Sequence, residues 1–289
     1  MIRRIVIISI LIILIPLLSL AQTKRALIIG LGKQEDPAWN KINGDKDVPY
    51  VLEILHNANY ERIISLVNED ACKWNIVNAF QLLEQSCQSG DIIYIHFSGH
   101  GQQMDDSDND ELDLLDECWI PYDAYLTPCD NDNGEKHLSD DEINVFLTNI
   151  RNKIGNNGKI LVVVDACHSG GSTRGTKGEI TRGASSIFNT IKSKLYPDKP
   201  QRNIDENSMT EPWITLTACA SDQVNTEMKS PVVGKLTYAL YNVISAGFNS
   251  NDDFFRQLQI FVNYNSSSRP QKPTMTGEIG SCSIADILY

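Results

Sequence analysis

Positive charge is what this 289-residue chain has little of: 25 Lys and Arg stand against 37 Asp and Glu, a formal net charge of -12. Gripping nucleic-acid phosphates takes a basic face, so the balance argues against nucleic acid as a partner and suits basic peptides or bound cations. The chain also lacks a compact cysteine framework. Its seven cysteines (72, 87, 118, 129, 167, 219 and 282) are an odd number for an exported protein, which leaves at least one thiol free or paired between chains. Internal repeats and a second core are absent too, so one domain is expected over 22–289. The one long apolar run, Ile5 to Leu18, is short for a membrane span of about 20 residues and is broken by Pro16. With Arg3 and Arg4 before it and Ser19-Leu20-Ala21 after, residues 1–21 read as a secretory signal peptide cut after Ala21; the alternative is an uncleaved anchor over 5–20. The expectation is an exported chain, periplasmic or secreted, monomeric and without stable membrane contact once cut. Losing Arg3 and Arg4 takes its charge from -12 to -14.

What is present is an alternation. Arg25–Gly30, Arg62–Val67 and Asp91–Phe97 are short runs rich in aliphatic residues, separated by helical patterns that start near Asn43 or Asp45 and near Lys73. Such an order predicts right-handed crossovers and a parallel sheet with helices on both faces. Gly30-Leu31-Gly32 follows a strand but lacks the third glycine and immediate helix of a dinucleotide site. After His100 the chain turns acidic, from Asp105 to Glu117, in what reads as a loop. Its Asp106, Asp108, Asp110 and Glu117 take calcium-loop spacing, yet Glu111 stands where the EF-hand needs glycine, leaving an irregular cation site or a solvated loop. Ser139 caps a helix opening with Asp140, Asp141 and Glu142, acids that also suit a helix N-terminus. Lys159 to Val164 forms the fourth strand and Trp213 to Ala218 the fifth; 170–212 between them reads as a long flexible loop with basic Arg174, Lys177 and Arg182. Helices near 235–246 and 252–263 and an edge strand near Thr274 complete the pattern.

Two strand ends carry the chemistry: His96-Phe97-Ser98-Gly99-His100-Gly101 and Val164-Asp165-Ala166-Cys167-His168-Ser169-Gly170. In a parallel sheet both lie on the carboxyl edge. A cysteine there becomes a strong nucleophile as thiolate, with His100 as the base that takes its proton and later returns it to a leaving amine. The amides of Gly101 and Cys167 are candidates for holding the oxyanion. Zinc on His96, His100 and Cys167 is the rival reading, weakened by glycine in the spacer. His56 and His137 read as surface residues, and Cys219 as a buried small one.

Together these motifs resemble the catalytic motifs of caspase-like cysteine peptidases, specifically the metacaspase and bacterial caspase-like branch. The likeness runs from about Arg25 to the C-terminus and includes Asn43-Gly44-Asp45-Lys46-Asp47 and Gly234-Lys235-Leu236-Thr237. It implies an α/β caspase-haemoglobinase fold with a mainly parallel sheet of about six strands. It also implies a cysteine endopeptidase acting on proteins or peptides after Arg or Lys, with no cofactor required. Asp165, Ser98 and Asp47, with Asp45 as the rival for the last, match the acidic pocket of that branch, where caspases carry glutamine two residues before the nucleophile. Calcium is a feature of the family, and Asp113, Asp116, Asp140 and Asp141 are its candidate ligands here; the seventh residue after Cys167, an aspartate in the family, is Arg174. Arg174, Lys177 and Arg182 are candidate self-cleavage sites. The alternative from another class is a catalytically silent peptide-binding or regulatory module of the same fold.

Overall fold

The structure, a computed structural model, describes residues 22–105, 115–167, 179–184, 211–220, 223–266, 270–278 and 282–289. A six-stranded sheet forms its centre: β1 (Lys24–Gly30), β2 (Arg62–Val67), β3 (Ile92–Ser98), β7 (Lys159–Asp165), β8 (Ile214–Thr217) and β9 (Thr274–Gly277), in the order β2-β1-β3-β7-β8-β9. All neighbours pair in parallel except β9, which runs antiparallel at the edge. The parallel crossovers carry α1 (Val48–Asn57), α2 (Lys73–Ser86) and α3 (Asp140–Ile154), whereas α4 (Lys235–Ala246), α5 (Asn251–Tyr264) and the short α6 (Ile284–Leu288) come from the C-terminal part. The two-residue period of β1 explains the layering. Ala26 and Ile28 face a core shared with α1, α4, α5 and α6, while Leu27 and Ile29 face one shared with α2 and α3.

Several local rules operate as the sequence suggests. Ser139 accepts from the Glu142 amide and the Glu142 carboxylate accepts from the Ser139 amide, a complete capping box at α3. The acidic stretch is not a plain loop, however. Gly101–Asp105 (β4) pairs antiparallel with Leu115–Trp119 (β5), and β5 pairs with Leu138–Ser139 (β6), forming a small second sheet. Sparse apolar residues hid this ribbon, which is anchored from β5 by Trp119 stacking on Phe97 with centroids 4.6 Å apart. Residues 106–114, including Asp113, lie outside the described residues, as do 1–21. His137 is also not at the surface: it is buried and shares a hydrogen bond with Gln102 Oε1 at 2.9 Å, while His56 is exposed as expected. All seven cysteines are free thiols.

Candidate active site

β3 and β7 are adjacent, with Ser98 in register with Asp165, so the segments that follow them emerge side by side at the carboxyl edge. His100 and Cys167 are both buried there. The His100 Nε2–H donates to the Asn40 carbonyl at 2.7 Å, and the ring lies against Trp39 with centroids 4.9 Å apart. This bond fixes the tautomer and leaves Nδ1 as the free acceptor, without a hydrogen-bond partner among the described residues. Burial pulls the His100 pKa down to about 4, against the opposing Asn40 bond, so the imidazole is neutral at physiological pH. The Cys167 thiol donates to the Gln223 carbonyl at 3.1 Å, which Cys219 also contacts at 3.4 Å.

Residues 179–184 are not the exposed linker expected of them. They lie in the cleft as an extended segment. The Arg182 carbonyl accepts from the amides of Cys167 (2.9 Å) and Gly101 (3.3 Å), the pair the sequence nominates for an oxyanion. The Arg182 amide donates to Asn225 O at 3.1 Å, the Glu227 amide donates to Ile180 O at 3.0 Å, and Thr181 bridges antiparallel to Thr226. On the other side of the Arg182–Gly183 bond, the Ala184 amide donates to Gly101 O at 3.2 Å. These contacts make the segment an added strand along the cleft, the manner in which extended peptides are recognised by their backbone.

The Arg182 side chain is fully buried, a correction to the accessible residue anticipated. Carboxylates overcome its preference for solvent. Nη1 donates to Asp47 at 2.6 Å and approaches Asp165 Oδ1 at 3.4 Å, while Nε donates to Glu227 Oε1 at 3.1 Å. Asp165 is held by Asn225 Nδ2 (2.8 Å), the Thr237 amide (2.9 Å) and the Thr237 hydroxyl (2.7 Å). Its pKa is lowered despite burial, because the Arg182 charge and these donors favour the anion. At Asp47, which accepts from the Gly234 amide at 2.8 Å, burial prevails over the guanidinium and the pKa is raised. Gly234 permits this close assembly: a Cβ there would lie 2.1 Å from Asp165 Oδ2 and 2.6 Å from Arg182 Nη1.

The remaining nominated residues separate clearly. Asp45 faces Gly32 and Asn68 rather than the pocket, so Asp47 is the one of the pair beside Asp165. Ser98 contacts His96 Nε2 at 3.0 Å, and that imidazole, 3.2 Å from Thr237 Oγ1, braces the pocket from behind. Burial lowers the His96 pKa to about 4, and its ring nitrogens are taken up by Tyr94, Ser98 and Thr237 rather than by a metal. Asp116 sits on β5, and Asp140 and Asp141 in the first turn of α3. Among the described residues no group of three His, Cys, Asp or Glu side chains is placed to hold a metal ion. Arg174, Lys177 and His168 lie outside the described residues. Glu227, Asn225 and the Asn40 carbonyl were not nominated from the sequence.

This sheet order, with a histidine and a cysteine just past adjacent strand ends, is that of the caspase-like fold, and the family match makes the chain a cysteine-type endopeptidase. Solved structures agree on the fold: protein GSU0716 from Geobacter sulfurreducens aligns over 92% of this chain and 97% of its own, with TM-score 0.63 and 21% identity. Caspase-1 from Spodoptera frugiperda aligns over 89% of each chain, with TM-score 0.55 and 9% identity. The family described as "Metacaspase, peptidase C14 domain" matches residues 24–174, just over half of the chain, which therefore belongs to the metacaspases. Metacaspase-1 of Pyricularia oryzae is 25% identical over 88% of this chain and 71% of its own length. Metacaspase-2 of Arabidopsis thaliana is 32% identical over 51% of this chain, a match spanning 34% of that relative. The family consists of cysteine peptidases with a general preference for Arg or Lys.

Proposed function

We propose that this chain is a cysteine endopeptidase that cleaves after arginine by a His100–Cys167 dyad, and that its first substrate is its own Arg182–Gly183 bond. The observation that carries this reading is the seating of Arg182: carbonyl on the Cys167 and Gly101 amides, guanidinium among Asp47, Asp165 and Glu227. In the reaction, the thiol turns from Gln223 O and passes its proton to His100 Nδ1. The thiolate forms a bond to the Arg182 carbonyl carbon, and the two amides stabilise the resulting oxyanion. Collapse breaks the bond to the Gly183 nitrogen, which leaves with the proton returned by the imidazolium. Water, deprotonated by His100, then hydrolyses the thioester and frees Cys167.

Until that cut, Arg182 blocks the pocket against other substrates. The peptidase reading is tested on the mature chain, after incubation under reducing conditions, with fluorogenic amides ending in Arg or Asp. Turnover of the arginyl amide with no detectable aspartyl turnover is expected; comparable rates on both would refute the acidic pocket.

Because burial holds the His100 pKa near 4 in the uncut chain, its neutral, proton-accepting form persists well below pH 6.5. Self-cleavage is therefore expected to hold its rate from pH 7 to about 5 and to fall as pH approaches 4. A loss centred near 6.5 would contradict this environment. Gly183 gives a further check. A Cβ at this residue would lie 2.4 Å from the Cys167 carbonyl oxygen, a backbone atom with little room to move. Gly183→Val should slow self-cleavage at this bond by about tenfold or more, as followed by gel densitometry.

A further inference from the structure

We infer that Glu227 makes this pocket select arginine over lysine, which narrows the peptidase reading above and rests on it. Asp47, Asp165 and the Asp165 carbonyl all meet one terminal nitrogen of Arg182, Nη1, at 2.6, 3.4 and 3.2 Å. Any long cation directed into the pocket satisfies that part of the site in some measure. Glu227 is different, because its Oε1 accepts from Nε at 3.1 Å, a nitrogen within the side chain. Lysine has a methylene at that position and carries its charge about one bond short of Nη1. With lysine bound, the buried Glu227 carboxylate would face carbon and lose a charged donor.

Nor is Glu227 free to swing toward a lysine. Its Oε1 accepts from the Asn43 amide at 2.7 Å and its Oε2 from Asn43 Nδ2 at 2.6 Å. Its own amide holds the carbonyl of Ile180, two residues before the arginine, at 3.0 Å. One residue thus reads the peptide backbone and the inner nitrogen of the guanidinium together. The Asn43 bonds also give Glu227 a structural task, so the test must separate anchoring from selection.

Two peptidyl fluorogenic amides differing only in Arg or Lys before the scissile bond are compared on the self-processed full chain. Wild type should favour Arg in kcat/KM by about tenfold or more. Glu227→Ala should lower the Arg:Lys ratio by about tenfold, chiefly by losing the arginyl rate, and Glu227→Gln, which keeps an acceptor, should fall between. Equal rates in wild type, or variants that reduce both substrates in the same proportion, would overturn the inference. Thermal unfolding in the uncut Cys167→Ala chain supplies a readout independent of turnover. There, Arg182→Lys should cost less Tm when Glu227 is already Gln than when it is Glu, and additive effects would overturn the inference. A coupled cycle with no peptide turnover would refute the peptidase reading alone, whereas turnover with an Arg:Lys ratio of one would refute selection alone.

Discussion

Cys167→Ala is expected to lower turnover of an arginyl peptide amide by about ten thousandfold or more, because the covalent route disappears with the sulfur. Its carbonyl-binding amides would remain, since they belong to backbone: Cys167 N and Gly101 N hold the Arg182 carbonyl without help from the thiol. Any residual rate should come from those donors and from substrate positioning alone. His100→Ala should lose about a hundredfold to ten thousandfold, the range of a positioned general base. Groups that act as one unit are not additive, so the double variant should be no slower than Cys167→Ala. Rates are read with the arginyl amide under reducing conditions, and undiminished turnover by His100→Ala would remove it from the dyad.

Asp165→Asn should reduce kcat/KM on arginyl substrates by about a hundredfold or more while the chain still folds. Both Asp165 oxygens face donors: Asn225 Nδ2 and Arg182 at Oδ1, Thr237 amide and hydroxyl at Oδ2. An amide nitrogen in either position turns an acceptor into a donor facing donors and removes the charge that the guanidinium pairs with. The pH dependence follows from the same group. With its folded pKa depressed, Asp165 contributes stability that is fully present above its unfolded value of about 3.9 and is lost as pH falls through the folded value. In the uncut Cys167→Ala chain, Asp165→Asn should therefore cost more Tm at pH 6 than at pH 3, where the unfolded chain takes up a proton that the seated carboxylate resists. An equal Tm loss at both pH values would mean that the Asp165 charge is unimportant to the seated arginine.

Much of this site was legible because parallel strands deliver their ends to one edge. The apolar strands before His100 and Cys167 pair with Ser98 beside Asp165, so both residues follow the same sheet edge, where both are buried. The choice between Asp45 and Asp47 was not legible. It depends on the turn of 3-10 helix over Gly44–Lys46, which directs Asp45 to Gly32 and leaves Asp47 to begin α1 facing the pocket. Arg182 was misplaced because a polar, glycine-containing stretch resembles a solvated linker. Its burial comes from three carboxylates brought in by α1, β7 and the segment after β8, a long-range coincidence that local composition does not register. Glu227 gave even less signal, a lone acid in a connecting segment whose role arises from pairing with 180–182. The β4–β5 ribbon escaped detection for a related reason, since its charges suggested solvent while its pairing is satisfied through backbone.

Intact-mass analysis of the purified chain tests the central claim most directly. Wild type incubated under reducing conditions should yield two fragments, one ending at Arg182 and one beginning at Gly183, while Cys167→Ala handled identically stays whole. A wild-type chain that remains intact, or the same fragments from Cys167→Ala, would contradict the claim that this active site cuts the bond it holds.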